Sequence, residues 1–170
     1  MGIISNLLPI AEMFVIHPEL LNEDNFEMFL KIIKEILNNR KYNMKIFSDC
    51  SFFEVLSLFI EKFPKNLFTE KILNTFAEIG KCMFGNNVEA LSSKYFDNIL
   101  LNEKILSKYS EDLQIKFWNH ILLFFQSDSE QIQIFINMNR ICRILRFYDR
   151  NKYHEMCCQK HLSMIKDEFK

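Results

Sequence analysis

Apolar side chains recur every three to four residues along most of the chain, which is the period of an α-helix with one buried face. The clearest case is the segment 24–39, where Phe26, Phe29, Ile33 and Ile36 fall at helical spacing. A loop or short helix is expected within NEKILSKYSEDLQ. The same period predicts further helices, at residues 8–16, 51–63, 69–84, 112–126, 131–149 and 151–169, and a weaker helical stretch at 87–101.

Residues that favour helix ends set the boundaries of these predicted segments. Ser51 and Glu54 have the spacing of a capping box, and Thr69 is a suitable first residue. Gly85 is a natural C-terminal cap. Pro9 is tolerated only in an opening turn, so the first helix is predicted to begin just before it.

Turn-forming residues are too scarce for a protein rich in sheets. The chain has three glycines and three prolines among 170 residues, whereas hairpins depend on glycine, proline and Asn-Gly pairs. The predicted fold is therefore all-α. Residues 112–126 are apolar around more than half of the helix circumference, which predicts a central helix that is buried on several sides.

Three segments share one helical pattern and suggest a repeat. NFEMFLKIIKEIL begins at residue 25, LFTEKILNTFAEI at 67 and QIKFWNHILLFF at 114, so 42 and 47 residues separate them. These offsets lie in the range of armadillo and HEAT repeats. They favour helix pairs stacked as an α-solenoid of about six or seven helices. We expect one solenoid-like domain over residues 1–170, as part of a larger protein.

Cysteine usage and hydropathy indicate a cytoplasmic protein. Five cysteines are present, an odd number, and no secretory signal opens the chain, so reduced thiols are expected. The longest clean apolar run is ILLFF, at residues 121–125, which is far too short to span a membrane. The net charge of −1 argues against a nucleic-acid partner.

An arginine stripe, formed by Arg143, Arg146 and Arg150, is the one candidate binding site in the sequence. On the predicted helix 131–149 these side chains lie within about 60° of each other, opposite the apolar arc. The ordinary interpretation is a solvated face. The functional interpretation is a docking stripe for acidic lipid headgroups at a peripheral membrane surface, or for an acidic protein partner.

Two histidines and two adjacent cysteines, His154, Cys157, Cys158 and His161, stand at i, i+3, i+4 and i+7 of the last predicted helix. Their spacing would allow pairs to grip a metal ion, or a thiol to act in catalysis. However, they share an arc with apolar residues, and four ligands from one straight helix cannot easily surround zinc. We therefore interpret them as helix interior and predict neither a metal nor a catalytic residue here.

No common catalytic or cofactor-binding motif occurs in the sequence. His120 lies on the crowded helix 112–126, where a hydrogen-bonded core histidine is the simpler interpretation. Phosphate-cradling loops and nucleophile elbows need glycines that this chain does not have. The sequence predicts a non-enzymatic protein without a cofactor or a small-molecule substrate. A metal- or thiol-dependent enzyme that uses residues 154–161 is the alternative of a different class.

The stretch from Phe96 to residue 161 resembles the helical region upstream of the BEACH domain in neurobeachin-type proteins. It contains an ILLN…IL segment and a helix start at Leu113-Gln114. At residues 145–148, LRFY matches an LLR.Y-like helix. The resemblance implies an armadillo-like scaffold acting in vesicle traffic, lysosome-related biology or autophagy through a protein partner. It carries over no catalytic residue. A small helical regulator that binds through the arginine stripe is the alternative within the binding class.

If the arginine stripe docks on acidic lipid or an acidic partner, replacing Arg143→Glu together with Arg146→Glu will weaken binding to anionic vesicles. The loss will be greatest at low ionic strength, because salt screens exposed charges. Vesicle co-sedimentation at two salt concentrations measures it. Unchanged binding at low salt would leave the stripe as solvated surface.

Overall fold

Every regular element in the described part of the chain is helical, which confirms the predicted all-α fold class. The computed structural model describes residues 4–38, 41–84, 89–126 and 140–144. The α-helices are α1 Ile4–Ile16, α2 Glu23–Leu37, α3 Lys41–Asp49, α4 Phe52–Ile60, α5 Glu70–Phe84, α6 Glu89–Tyr95, α7 Glu103–Leu106 and α8 Glu111–Gln126.

Short connecting segments are also helical. A 3₁₀ turn at Pro18–Leu20 precedes α2, a second at Lys65–Leu67 precedes α5, and a π-helical segment at Phe96–Leu100 continues α6. Each 3₁₀ turn follows or includes a proline, which fixes φ for a tight turn and prevents the preceding helix from continuing. Pro18 and Pro64 stand 46 residues apart, so the two turns mark the repeat as well as the helix ends.

The helices of the first unit stack in two layers, as in a solenoid. α1 packs on α4 and α2 packs on α5, and the series continues with α4 against α6 and the π-helical segment and with α5 against α8. One layer therefore contains α1, α4 and α6, and the other contains α2, α5 and α8. Below, α1 with α2 is the first hairpin and α4 with α5 is the second hairpin.

Edge-to-face aromatic packing fills the space between the two hairpins. Phe26 of α2 meets Phe63, Phe68 and Phe76 at ring-centroid distances of 5.1, 6.2 and 6.1 Å. Phe26 itself is fully buried. Because such pairs add about 0.5–1.5 kcal/mol to the burial of their area, this one residue links the hairpins strongly.

α3 is a helix that the periodicity analysis did not predict. It lies between the hairpins in sequence and packs on α2, α4 and α6. Its apolar anchors Met44 and Phe47 are fully buried, but nine residues are too few to show a clear helical period. Phe47 stacks on Phe53 and meets Phe52 edge-on, so tertiary packing holds this short helix.

Two predicted boundaries are wrong. Ser51 does not form a capping box, because it adopts the left-handed conformation at φ 50° and ψ 40° and its side chain makes no cap hydrogen bond. Pro9 lies inside α1 rather than in its opening turn, since the helix already begins at Ile4. Thr69 was correctly placed at the start of α5, where its hydroxyl accepts a hydrogen bond from the Ile72 amide at 3.5 Å.

The chain divides into two compact units, Met1–Phe135 and Ile136–Lys170. In the second unit the described residues, 140–144, form a helical turn in which Arg140 and Ile144 are buried. This turn falls within the predicted helix 131–149. The remainder of that helix, the predicted helix 151–169 and Gly85 lie outside the described residues.

Ser51→Gly is expected to raise the free energy of unfolding by about 0.5–1 kcal/mol, because a Cβ is costly in the left-handed region and glycine removes it. Chemical denaturation measures the difference. Ser107→Gly is the matched control: Ser107 has right-handed φ and ψ at −64° and −10°, so its replacement will destabilise instead. A loss of stability in both variants would contradict the strain at Ser51.

Candidate interaction surface

The arginine stripe is only partly within the described residues. Arg143 lies in the helical turn 140–144 and is half-buried, while Arg146 and Arg150 lie outside the described part of the chain. Docking through these arginines stays a prediction. The histidine and cysteine residues at 154–161 are outside it as well, so their assignment to a helix interior also stays a prediction.

The titratable groups that the structure does describe are dispersed. Burial raises the pKa of the Cys50 and Cys82 thiols, which lowers their thiolate fraction and their nucleophilicity. Burial, together with nearby Lys81, lowers the pKa of His120. Among the residues described, no three His, Cys, Asp or Glu side chains are grouped so that they could hold a metal ion.

Ion pairs repeat along the layer formed by α2, α5 and α8. Asp24 in the first turn of α2 pairs with Lys71 of α5 at 2.9 Å, and Glu70 in the first turn of α5 pairs with Lys116 of α8 at 2.7 Å. The paired residues are 47 and 46 positions apart. The hydrogen bond from Lys71 lowers the pKa of Asp24, and the same bond raises the pKa of Lys71.

A second set of polar contacts joins the turns at one edge of the solenoid. Asn102 and Lys104 both donate to the Glu61 carboxylate, at 2.8 Å each. Burial alone would raise the pKa of Glu61, but these donors outweigh it and lower that pKa. Lys108 donates to the carbonyl oxygen of Phe63. Each of these contacts again spans one repeat, in agreement with the offsets read from the sequence.

One surface of the first hairpin is apolar and open to solvent. We call it the first-hairpin face. It consists of large apolar side chains on α1, on the turn and on α2 that are at least partly exposed: Ile10, Met13, Ile16, Leu20, Met28 and Ile32. Isolated exposed apolar residues are ordinary in soluble proteins, but six of them on one hairpin suggest a binding surface.

The repeat allows the exposed positions of α2 to be compared with the equivalent positions of α5. At an offset of 47, Met28 and Ile32 of α2 correspond to Thr75 and Ile79 of α5. Met28 and Ile32 are 61% and 40% exposed, whereas Thr75 and Ile79 are 3% and 1% exposed. Thr75 follows Lys71 by one helical turn, on the side of α5 that pairs with α2. The same helix positions are therefore covered in the second hairpin and open in the first.

The other helix of each hairpin shows the same difference. With Pro18 aligned to Pro64, Ile10 of α1 corresponds to Leu56 of α4. Ile10 is 36% exposed and Leu56 is 1% exposed. Ala11 and Ser57 are also equivalent, and both are buried. Ile10, Met28 and Ile32 thus have positions that are covered in the second hairpin, whereas Lys62 and Asn66, the equivalents of Ile16 and Leu20, are exposed.

Sequence analysis missed this surface because its residues resemble core residues. Met28 and Ile32 are one helical turn apart, yet they lie away from the arc formed by Phe26, Phe29 and Ile33, and a second apolar strip beside a first one was available as a signal. The aligned prolines were a second signal, since they allow the exposed positions to be compared between hairpins.

Stacked helix pairs of this kind define an α-solenoid, a class of interaction module that works through extended surfaces. The family described as the neurobeachin/BDCP DUF4704 alpha solenoid region matches residues 15–164, and the chain belongs to this family. That result confirms the resemblance drawn from residues 96–161 and extends it over most of the chain. No curated protein and no solved structure matches the chain significantly.

The length and hydropathy of the described helices decide whether any of them could cross a membrane. None of those in the described ranges has the length and apolar character needed to cross a bilayer. A peripheral membrane contact through the arginine stripe is a separate matter, and it stays a prediction.

Ile79→Ala is expected to reduce the free energy of unfolding by about 2–5 kcal/mol, because it removes buried methyl groups and leaves a cavity. Ile32→Ala, at the equivalent position of α2, is expected to cost less than about 1 kcal/mol because its side chain is already partly solvated. Urea denaturation of both variants measures the contrast. Equal losses would show that the first-hairpin face is covered within the chain.

Proposed function

We propose that this chain is a protein-binding segment of a scaffold that acts in vesicle traffic at the cytoplasmic side of membranes, and that it catalyses no reaction. The first-hairpin face is the observation that carries the proposal. Family membership supports the scaffold role, since the matched region is an alpha solenoid of neurobeachin and BDCP proteins.

The physical support comes from the energy available on the first-hairpin face. Covering a side chain such as Met28, which is 61% exposed, removes apolar area from water and contributes about 1 kcal/mol. Six such residues on one hairpin provide apolar area for the centre of an interface. Methionine adds adaptability, because its flexible thioether side chain fits irregular partner surfaces.

A photo-crosslinking amino acid in place of Met28 tests the proposal in cells that express the whole chain. The expected result is a covalent adduct with a protein partner, and Ile32→Lys in the same chain should abolish it. Leu58 of α4 is the matched control position, because it is an equally exposed apolar residue, at 57%, outside the face. Equal labelling at both positions, or none at Met28, would contradict binding through this face.

Salt dependence separates this proposal from docking through the arginine stripe. An interface centred on apolar side chains should persist when ionic strength is raised, whereas attraction between exposed charges is screened within about 10 Å at 0.1 M salt. The Met28 adduct is therefore expected to form with similar yield in permeabilised cells at low and high salt. A yield that falls steeply with salt would favour the arginine stripe.

A further inference from the structure

We infer that the exposed turn between α1 and α2 binds a basic segment of a partner protein, in which lysine or arginine residues flank an apolar side chain. This inference rests on the proposed protein-binding function and specifies the chemistry of the partner at one end of the first-hairpin face. We call this end the first-turn patch. It consists of Ile16 and Leu20 and of three exposed acidic residues beside them, Glu12, Glu19 and Asp24.

The stacking of repeats does not account for the apolar centre of the patch. Ile16 and Leu20 are 62% and 42% exposed. Their equivalents in the second hairpin, Lys62 and Asn66, are polar and also exposed, although the first hairpin packs against the second. A helix pair stacked on the first hairpin in the same manner would therefore leave Ile16 and Leu20 open to solvent. Apolar residues at positions that stacking leaves exposed indicate a different contact.

Hydrogen bonds hold the turn in one shape. The Leu20 amide donates to the carbonyl oxygen of His17 at 3.0 Å, and the side chain of Asn25 donates to the carbonyl oxygen of Leu20 at 2.7 Å. Glu19 Oε1 lies 3.2 Å from His17 Nδ1. Because the turn is tied both to the end of α1 and to the start of α2, little ordering is needed when a partner binds, which lowers the cost of association.

The charge of the first hairpin specifies a basic partner. From residue 4 to residue 30 the sequence has five acidic residues and no lysine or arginine. The side chains of Glu19 and Asp24 are 69% and 86% exposed, and Asp24 keeps this exposure while it pairs with Lys71. Glu12 lies one helical turn before Ile16, on the same side of α1. Since complementary charges favour specific association, lysine or arginine is expected beside the apolar anchor of the partner.

The second turn limits where the basic residues of the partner can lie. Lys62 and Lys65 are exposed there. The two turns are neighbours, because Phe14 near the end of α1 meets Phe63 just after α4 at a ring-centroid distance of 6.2 Å. Cations of the partner would be repelled over the second turn, so we expect them to lie over the first.

Two synthetic peptides with the same apolar residue test the inference, one with lysine and the other with glutamate at the flanking positions. Binding of each peptide to the whole chain is followed by fluorescence anisotropy at low ionic strength. The lysine peptide is expected to bind at least about tenfold more tightly, because it faces three acidic side chains. Equal binding of the two peptides, or no binding of the lysine peptide, overturns the inference.

Charge variants of the chain locate the binding site. Glu12→Lys with Glu19→Lys should weaken binding of the lysine peptide by at least about fivefold. Glu35→Lys is the matched control, because Glu35 is an exposed acid at the other end of α2, and it should have little effect. Lys62→Glu with Lys65→Glu should tighten binding, since it removes the repulsion. Unchanged binding in the Glu12 and Glu19 variant, or equal weakening in Glu35→Lys, overturns the inference.

Variants of the apolar side chains test the anchor. Ile16→Ser with Leu20→Ser should weaken binding of the lysine peptide by about tenfold, because the apolar area that the peptide covers is removed. Leu58→Ser should leave binding unchanged, since Leu58 is an exposed apolar residue, at 57%, outside the patch. Circular dichroism checks that each variant keeps its helices. Equal losses in the two variants would contradict an anchor at the first turn.

Analytical ultracentrifugation of the chain alone decides whether a second copy occupies the patch. A monomer over the concentration range of the peptide assay supports a separate partner, whereas self-association that Glu19→Lys abolishes overturns it. The Met28 crosslink is scored independently of the peptides. Its persistence after failure of the lysine peptide would leave the proposed function standing, and its loss would remove both.

Discussion

The contact between α2 and α5 is the constraint on which the first unit of the chain depends. Phe26 of α2 is fully buried and meets three phenylalanine rings of the following repeat edge-on. A ring enclosed in this way cannot slide along the neighbouring helix without losing several contacts, because protein interiors are close-packed. The register of the two hairpins is therefore set by packing at this residue.

The polar contacts follow from that register. With Phe26 in place, Asp24 meets Lys71 and Lys34 meets Glu78. Ion pairs on such exposed surfaces contribute little to stability, so they do not hold the hairpins together. Their importance lies in orientation, since opposite charges at both ends of the contact disfavour an antiparallel arrangement. A polar contact also joins α6 to α5, because the buried hydroxyl of Tyr95 donates to the carbonyl oxygen of Phe76 at 2.7 Å.

The open end of the first hairpin is the counterpart of this interface. A repeat that buries one face against the next helix pair carries a second face of similar shape, and a solenoid gains stability by covering it. In the second hairpin that face is closed by α1 and α2. In the first, Met28 and Ile32 are exposed to solvent, so equivalent helix positions are buried in one repeat and accessible in another.

The local pattern of the sequence determined most of the helices, the all-α class and the solenoid repeat. Helical periodicity is a property of neighbouring residues, so Phe26, Phe29 and Ile33 were placed correctly on the buried side of α2 without knowledge of any other segment. Thr69 marked the start of α5 for the same reason. The left-handed Ser51 and the short helix α3 escaped because tertiary contacts override weak local preferences. Ile32 is exposed and Ile79 is buried, and this difference was decided only by the tertiary structure. It depends on whether a helix from the neighbouring repeat, about 47 residues away in sequence, lies against that face.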